Sequence, residues 1–416
     1  MRKLSGLRFQ ILVVLSVACV ASLLMCVRGL DAYTFVSWGE VDVKVYVIAL
    51  DGVSGQGVDN ITDAVEGCLS ACRVNSSRST IWPDHGGPLY YKLGINTNAT
   101  VVHDWNTYEE VVESGSNVII VNVHGETTPV PVGYTRDEWV DKIAEAMLTR
   151  NVTWVHTAGY PFFYSYLQES GEALWGEEGF KRLMGHIGLE NVTCWPPGSE
   201  EEKVSMHTYV EATFLLDWRT ADDAFKVECG RPLKASDFGD RVAGVIWGCE
   251  TDYMPGAIIK FSEPNQTDSS GFYVHVGTHK TYRFHNGYEE TDGDFCRSYV
   301  GAAQAIYTSS FRLFSEHAIS NAEDGIAEAE TEGRTKNLEE ARQLLQRARY
   351  DFDSYYYSYG VFYANEAKEV AETAEKPTFL ESYGMHLVAL GVIGGVSACG
   401  LIVIVAKKKK KRDETR

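Results

Sequence analysis

The sequence predicts an α/β body, a parallel sheet flanked by helices, followed by a long antiparallel helical hairpin and one transmembrane helix. Three observations carry that fold class. Short apolar, β-branched runs alternate with amphipathic stretches between residues 40 and 280, as expected for strands buried on both faces and the helices that cover them. Apolar residues then recur at steps of three and four from Ser298 to Ala374. Finally, Leu387 to Ala406 contains no charged residue and runs straight into the basic block Lys407 to Arg412.

The chain begins with Arg2, Lys3 and Arg8 ahead of an apolar run from Phe9 to Val27. Residues 1–32 therefore read as a signal peptide, with Leu30, Asp31 and Ala32 offering a cleavage site and an uncleaved anchor as the alternative. At the other end, residues 384–406 are expected to cross the membrane, since about 20 helical residues span roughly 30 Å. The basic tail 407–416 would stay in the cytoplasm by the positive-inside rule, giving a single-pass type I protein of the cell membrane with its bulk extracellular.

Composition agrees with an exported body. Without residues 1–30 and 407–416, 27 basic and 55 acidic side chains remain, a formal charge of −28. Such a surface repels nucleic acid, so no nucleic-acid partner is expected. Asn-x-Ser/Thr acceptors occur at Asn60, Asn75, Asn98, Asn151, Asn191 and Asn265, the pattern of an archaeal-like or eukaryotic surface glycoprotein. Cys68, Cys72, Cys194, Cys229, Cys249 and Cys296 form an even set in an oxidising compartment, so up to three disulfides are expected, with connectivity open. No second Cys or His pair completes a zinc site beside Cys68 and Cys72, and neither metal nor cofactor is expected.

Asp42 to Leu50 is a buried strand that enters the loop Gly52-Val53-Ser54-Gly55-Gln56-Gly57. A helix follows over about 58–72, and residues 73–105 read as irregular. Tyr108 to Ser114 is helical, Asn117 to Val123 a second buried strand, Arg136 to Thr149 an amphipathic helix with its stripe at Trp139, Ile143, Ala146 and Met147, and Val152 to Thr157 a third strand. Gly179 to Ile187 is a short helix, and 192–240 shows no clear period. Val242 to Trp247, Ala257 to Phe261 and Phe272 to Val276 are strands, the last two an antiparallel pair.

This order of strands, the turn after NVIIVNV, the strand VTWVHTAGYPFF and the closing hairpin before YVGAAQAIY resemble the class I glutamine-amidotransferase-like fold, including trehalose-utilisation-type proteins. The resemblance covers about 40–312 and implies a flavodoxin-like sheet. Catalytic members of that family carry a nucleophilic Cys in a sharp turn between glycines. This chain has no Gly-x-Cys-x-Gly, and Gly248-Cys249-Glu250 is the nearest approach, so the likeness implies the scaffold without its nucleophile.

Residues 298–376 read as a helical hairpin stalk whose first helix is shared with the α/β domain. Gly333 ends that helix, Thr335 caps a second that continues to Pro377, and Tyr355, Tyr356, Tyr357, Tyr359, Phe362 and Tyr363 crowd its middle. These aromatics either pack inside the protein or present a surface to a protein partner.

Candidate chemistry gathers where strands end. Asp51, His124 and Glu126, with His275 from the last strand, are the groups an acid–base site would use. Polar residues also close strands in any such sheet. Gly-x-Ser-x-Gly, His-Glu-x-x-His and phosphate-loop motifs are absent. The expected function is therefore a non-catalytic surface glycoprotein with a ligand-binding, adhesive or structural head; a membrane-tethered hydrolase and a subunit of an envelope assembly are the alternatives.

Overall fold

The structure is a computed structural model and describes residues 36–377 apart from 74–78, 82–88, 195–202, 210–224, 229, 248–251, 264–270, 279–280, 286–287 and 292. The expected signal 1–32, span 384–406 and tail 407–416 lie outside the described residues, as do Asn75, Asn265, Cys229 and Cys249. The predicted fold class is corrected in two respects. Among the described residues no helix is long and apolar enough to cross a membrane. The sheet, moreover, is mixed rather than parallel.

The first half of the chain runs β1 (Val36–Ile48), α1 (Ile61–Cys72), β2 (Ser79–Ile81), β3 (Leu89–Val102), α2 (Trp105–Ser114), β4 (Val118–Asn122), β5 (Thr127–Val130), α3 (Arg136–Thr149), β6 (Thr153–His156), β7 (Tyr164–Leu167), β8 (Glu172–Trp175) and α4 (Glu178–Gly185). The second half runs β9 (Lys203–Tyr209), β10 (Phe225–Glu228), β11 (Leu233–Lys234), α5 (Ala235–Phe238), β12 (Val242–Trp247), β13 (Tyr253–Met254), β14 (Gly256–Lys260), β15 (Phe272–Val276), β16 (Thr281–His285), β17 (Tyr288–Thr291), α6 (Gly293–Thr331), α7 (Leu338–Asp353) and α8 (Tyr357–Glu372).

Twelve strands form the main sheet in the order β17-β16-β10-β9-β12-β14-β15-β6-β4-β1-β3-β2. The central pairs β15/β6, β6/β4, β4/β1 and β1/β3 are parallel. Helices α1, α2 and α3 supply the crossovers that β1, β3, β4 and β6 need to stay parallel. Only eleven residues separate β14 from β15, too few for a helical crossover, and the two pair antiparallel, as do the strands outward to β17. A separate small sheet holds β5-β7-β8.

Strand β1 shows how local sequence sets the pairing. Val41, Val43, Val45 and Val47 are buried while Asp42 and Lys44 are exposed, so this end of the sheet has one solvated face. Trp38, an even position, is also buried, against Phe311 and Phe314 at 5.4 and 5.8 Å between ring centroids. A bulge reconciles the two phases: Ser37 pairs with Lys92 but Glu40 with Gly94, leaving Trp38 and Gly39 opposite Leu93 alone. Gly39 takes a φ of +91°, which a side chain would disfavour.

Between the sheet and helices α2, α3 and α4 lies a hydrophobic core, with Tyr108, Trp139, Met147, Trp154, Tyr160 and Phe180 buried together. Helix α3 starts with a capping box, Thr135 and Glu138 each satisfying the other's backbone, as its first turn and stripe require.

A buried ion pair fastens the loop after β1. Asp294 Oδ2 accepts from the backbone N–H groups of Asp59 (2.9 Å) and Asn60 (2.7 Å), while its Oδ1 pairs with Arg297. Arg297 donates onward to the carbonyls of Thr278 (3.1 Å) and Gly57 (2.9 Å). The loop after β1 is thus held by side chains from the start of α6.

The described residues form two compact units, 36–317 with 350–361 and 318–349 with 362–377. The second is helical. Arg342 pairs with Glu330 at 2.7 Å, Arg349 with Glu323 at 2.8 Å, and Lys336 N donates to the carbonyl of Glu375 at 3.0 Å. The last bond brings the end of the segment back beside its beginning, so the predicted continuous second helix is corrected to the antiparallel pair α7 and α8. The break has a physical cause in the first unit. Tyr355 adopts φ +66°, Tyr355 N bonds the Phe352 carbonyl and Tyr356 N the Asp351 carbonyl, the bond pattern that closes a helix with a left-handed residue. Phe272 edges onto the Tyr355 ring at 5.8 Å and Lys260 Nζ lies 4.3 Å from its centre, contacts that hold a non-glycine residue in that conformation.

Removing Asp294 leaves a buried guanidinium without its carboxylate and two backbone N–H groups without an acceptor. Asp294→Ala is expected to cost about 3–5 kcal/mol, read as a lower midpoint in denaturant unfolding with an unchanged slope.

Candidate functional site

The carboxyl ends of β1, β4, β6 and β15 fall in one row, because Ile48, Asn122, His156 and His275 are successive register partners across the parallel strands. Residues in register point to the same face, so Asn122, His156 and His275 stand side by side, and His124 joins them one step beyond Asn122. All four side chains are fully buried.

Each imidazole is held by a bond that selects one tautomer. His124 Nε2 accepts from the Leu50 N–H at 2.9 Å, which leaves the proton on Nδ1. Asn122 Nδ2 faces His156 Nδ1 at 3.1 Å, and because an amide nitrogen only donates, His156 carries its proton on Nε2. His275 Nε2 lies 2.8 Å from the Arg231 carbonyl and donates to it, while Tyr273 Oη donates to Nδ1 at 2.6 Å. Asn122 also donates to the Thr127 carbonyl at 2.9 Å and accepts from the His124 N–H at 3.3 Å, so one amide ties three segments together.

Burial dominates the electrostatics. It pushes His124 and His275 down to about 4, and holds His156 well below the ordinary imidazole range with help from the two neighbouring histidines. These are neutral rings at pH 7. A backbone hydrogen bond with Val53 opposes the shift of His124, while Nε2 of His156 has no hydrogen-bond partner among the described residues.

Glu126 is buried as well, with Oε1 2.5 Å from Arg231 Nε. A β-carbon on Gly159 would come within 2.5 Å of that same Oε1, so the approach requires glycine. Arg231 N in turn bonds the Gly277 carbonyl at 2.6 Å, and Tyr160 stacks on His275 at 5.6 Å. The result is a continuous polar seam along the strand ends, closed over by aromatic rings.

Of the four groups predicted at strand ends, the fold brings His124, Glu126 and His275 into this seam but gives each a different partner. Asp51 stands apart: its side chain is 87 % exposed and lies 3.7 Å from His103 Nδ1. Sequence reading missed Asn122, His156 and Arg231. His156 closes an apolar run much as His124 follows one, a positional signal that was present; Arg231 comes from the stretch without a period.

The described cysteines join in no disulfide. Cys68 Sγ lies 3.8 Å from the Ser298 carbonyl, and burial raises its thiol strongly. Burial likewise pushes Cys72 up to about 11 and Cys194 up to about 12. Thiols so raised are protonated and unreactive at neutral pH. Among the described residues no group of His, Cys, Asp and Glu side chains is placed to hold a metal ion. Compared with family models, with curated proteins and with solved structures, the chain matches none.

The lowered histidines make stability pH-dependent in a defined direction. Below about pH 6.5 the unfolded chain binds protons that the native rings refuse, so stability is complete above that pH and falls as pH drops toward about 4, by about 1.4 kcal/mol per pH unit for each ring. Thermal unfolding at pH 7 and pH 5 is expected to show a marked loss at the lower pH, and His156→Asn should flatten the slope.

Proposed function

We propose that this chain is a non-catalytic, exported glycoprotein whose α/β unit, on an amidotransferase-like scaffold stripped of its nucleophile, binds or displays rather than turns over a substrate. The observation that carries this is that the four strand-end groups each engage a different partner. A general acid and base must both reach one reacting atom, whereas His124, Glu126 and His275 are each engaged in the fold and Asp51 faces solvent. The neutral, buried rings and the raised thiols support the same reading, since neither offers a charged nucleophile at neutral pH. Export is supported by the acidic composition and by acceptor asparagines at the surface, where Asn60, Asn98 and Asn191 are exposed.

The Tyr-rich segment lends little surface to a partner. Tyr355, Tyr356, Tyr359, Phe362 and Tyr363 are half-buried and Tyr357 is fully buried. Ligand binding is therefore better sought on the exposed face of β1 and β3 or around the small sheet, where Trp175 is 73 % exposed.

The test pairs turnover with stability. Purified protein and its Glu126→Gln variant are assayed against ester, peptide and glycoside substrates, and both are expected at background, with the variant unfolding at lower denaturant. Wild-type turnover that Glu126→Gln or His275→Asn abolishes without moving the unfolding midpoint would overturn the proposal. Protease added to intact cells should digest the 36–377 body.

A further inference from the structure

Four of the six acceptor asparagines lie among the described residues, and the fold treats them unequally. Asn98 sits in β3 on the solvated face of the sheet, in register with exposed Lys44, and its acceptor hydroxyl residue Thr100 is exposed on the same face. β2 pairs with β3 only from Leu89 to Tyr91, so no described strand covers the outer edge of β3 at Asn98. Asn151 is the opposite case. Its Nδ2 donates to Asn117 Oδ1 at 2.7 Å, its Oδ1 accepts from Arg312, and it holds a left-handed φ of +55°. The residues that complete its motif, Val152 and Thr153, are buried, Thr153 inside β6 with Oγ1 3.2 Å from Ser309.

We infer that Asn98 carries an N-linked glycan and that Asn151, despite an intact motif, does not. The inference rests on the exported reading above. Transfer joins Asn98 Nδ2 to the anomeric carbon of a lipid-phosphate-linked oligosaccharide; the bond from that carbon to the phosphate oxygen breaks, the lipid phosphate leaves, and the amide gives up one proton. A folded chain carries a glycan only where the amide is free of the fold's own bonds and the motif, amide and hydroxyl alike, lies at the surface. At Asn98 both face water. At Asn151 the amide is spent on the fold and the hydroxyl lies in a central strand.

The test is site-resolved mass spectrometry of the full chain expressed through a glycosylating secretory pathway, after enzymatic glycan release in heavy-oxygen water marks occupied asparagines. The label is expected on Asn98 and not on Asn151. Label on Asn151, or sugar elsewhere with Asn98 unlabelled, overturns this inference and leaves the exported reading standing. A chain with no sugar at any acceptor overturns the exported reading itself, and this inference with it. As a second measurement, Asn98→Gln should leave the unfolding midpoint of the deglycosylated protein unchanged while Asn151→Ala lowers it. An unchanged midpoint for Asn151→Ala would overturn the claim that its amide is committed.

Discussion

Water is kept away from the carboxyl ends of the central parallel strands, and most of the structure around them answers that exclusion. In doubly covered parallel sheets these ends usually open onto a cleft; here rings and a guanidinium close over them. Asn122, His124, His156, His275, Glu126 and Arg231 then turn to one another or to the backbone, because a buried polar group without a partner costs about 1–3 kcal/mol, although Nε2 of His156 finds none among the described residues. The bonds they form run between strands and loops far apart in sequence, from Leu50 to His124 and from Arg231 to His275. Chemistry-bearing residues are thereby turned into fasteners. The glycine at 159 belongs to the same device, since it gives Glu126 room to meet Arg231.

A second set of fasteners lies at the start of α6. Asp294 and Arg297 bind the backbone at Gly57, Asp59, Asn60 and Thr278, so the loop after β1 and the turn after β15 are both tied to one helical turn. A glycine-bearing loop between a strand and a helix commonly offers its N–H groups to an anion. In this chain a carboxylate of the protein already takes two of them.

Legibility in the sequence followed how local each cause was. Helix α3 has the bounds that its stripe predicts, Arg136–Thr149, because the capping box and the periodicity act within a few residues. Strand β3 went unread because its outward face is solvated; Asn96, Asn98 and Thr100 look like turn formers until their alternation with Ile95 is set beside β1. The break at Tyr355 was invisible since aromatic spacing on either side fits one helix, and the residues that fix it, Phe272 and Lys260, come from distant strands. The mixed sheet follows from connections too short for a crossover helix, as between β14 and β15, rather than from strand composition. Within the seam, His124, Glu126 and His275 were marked by their place after apolar runs. Their chemistry was decided by partners, Arg231 above all, that no spacing rule connects to them.

The bulge in β1 works as a frame counter. On its near side Trp38 faces inward and on its far side the odd positions do, and the extra residue at Gly39 absorbs the difference. Because side chains alternate strictly along a strand, losing that one residue would leave every later letter readable but out of frame. Either Trp38 would quit its place between Phe311 and Phe314, or Asp42 and Lys44 would be driven into the space now filled by valines. Evolution of this strand can therefore exchange letters far more readily than it can change their number.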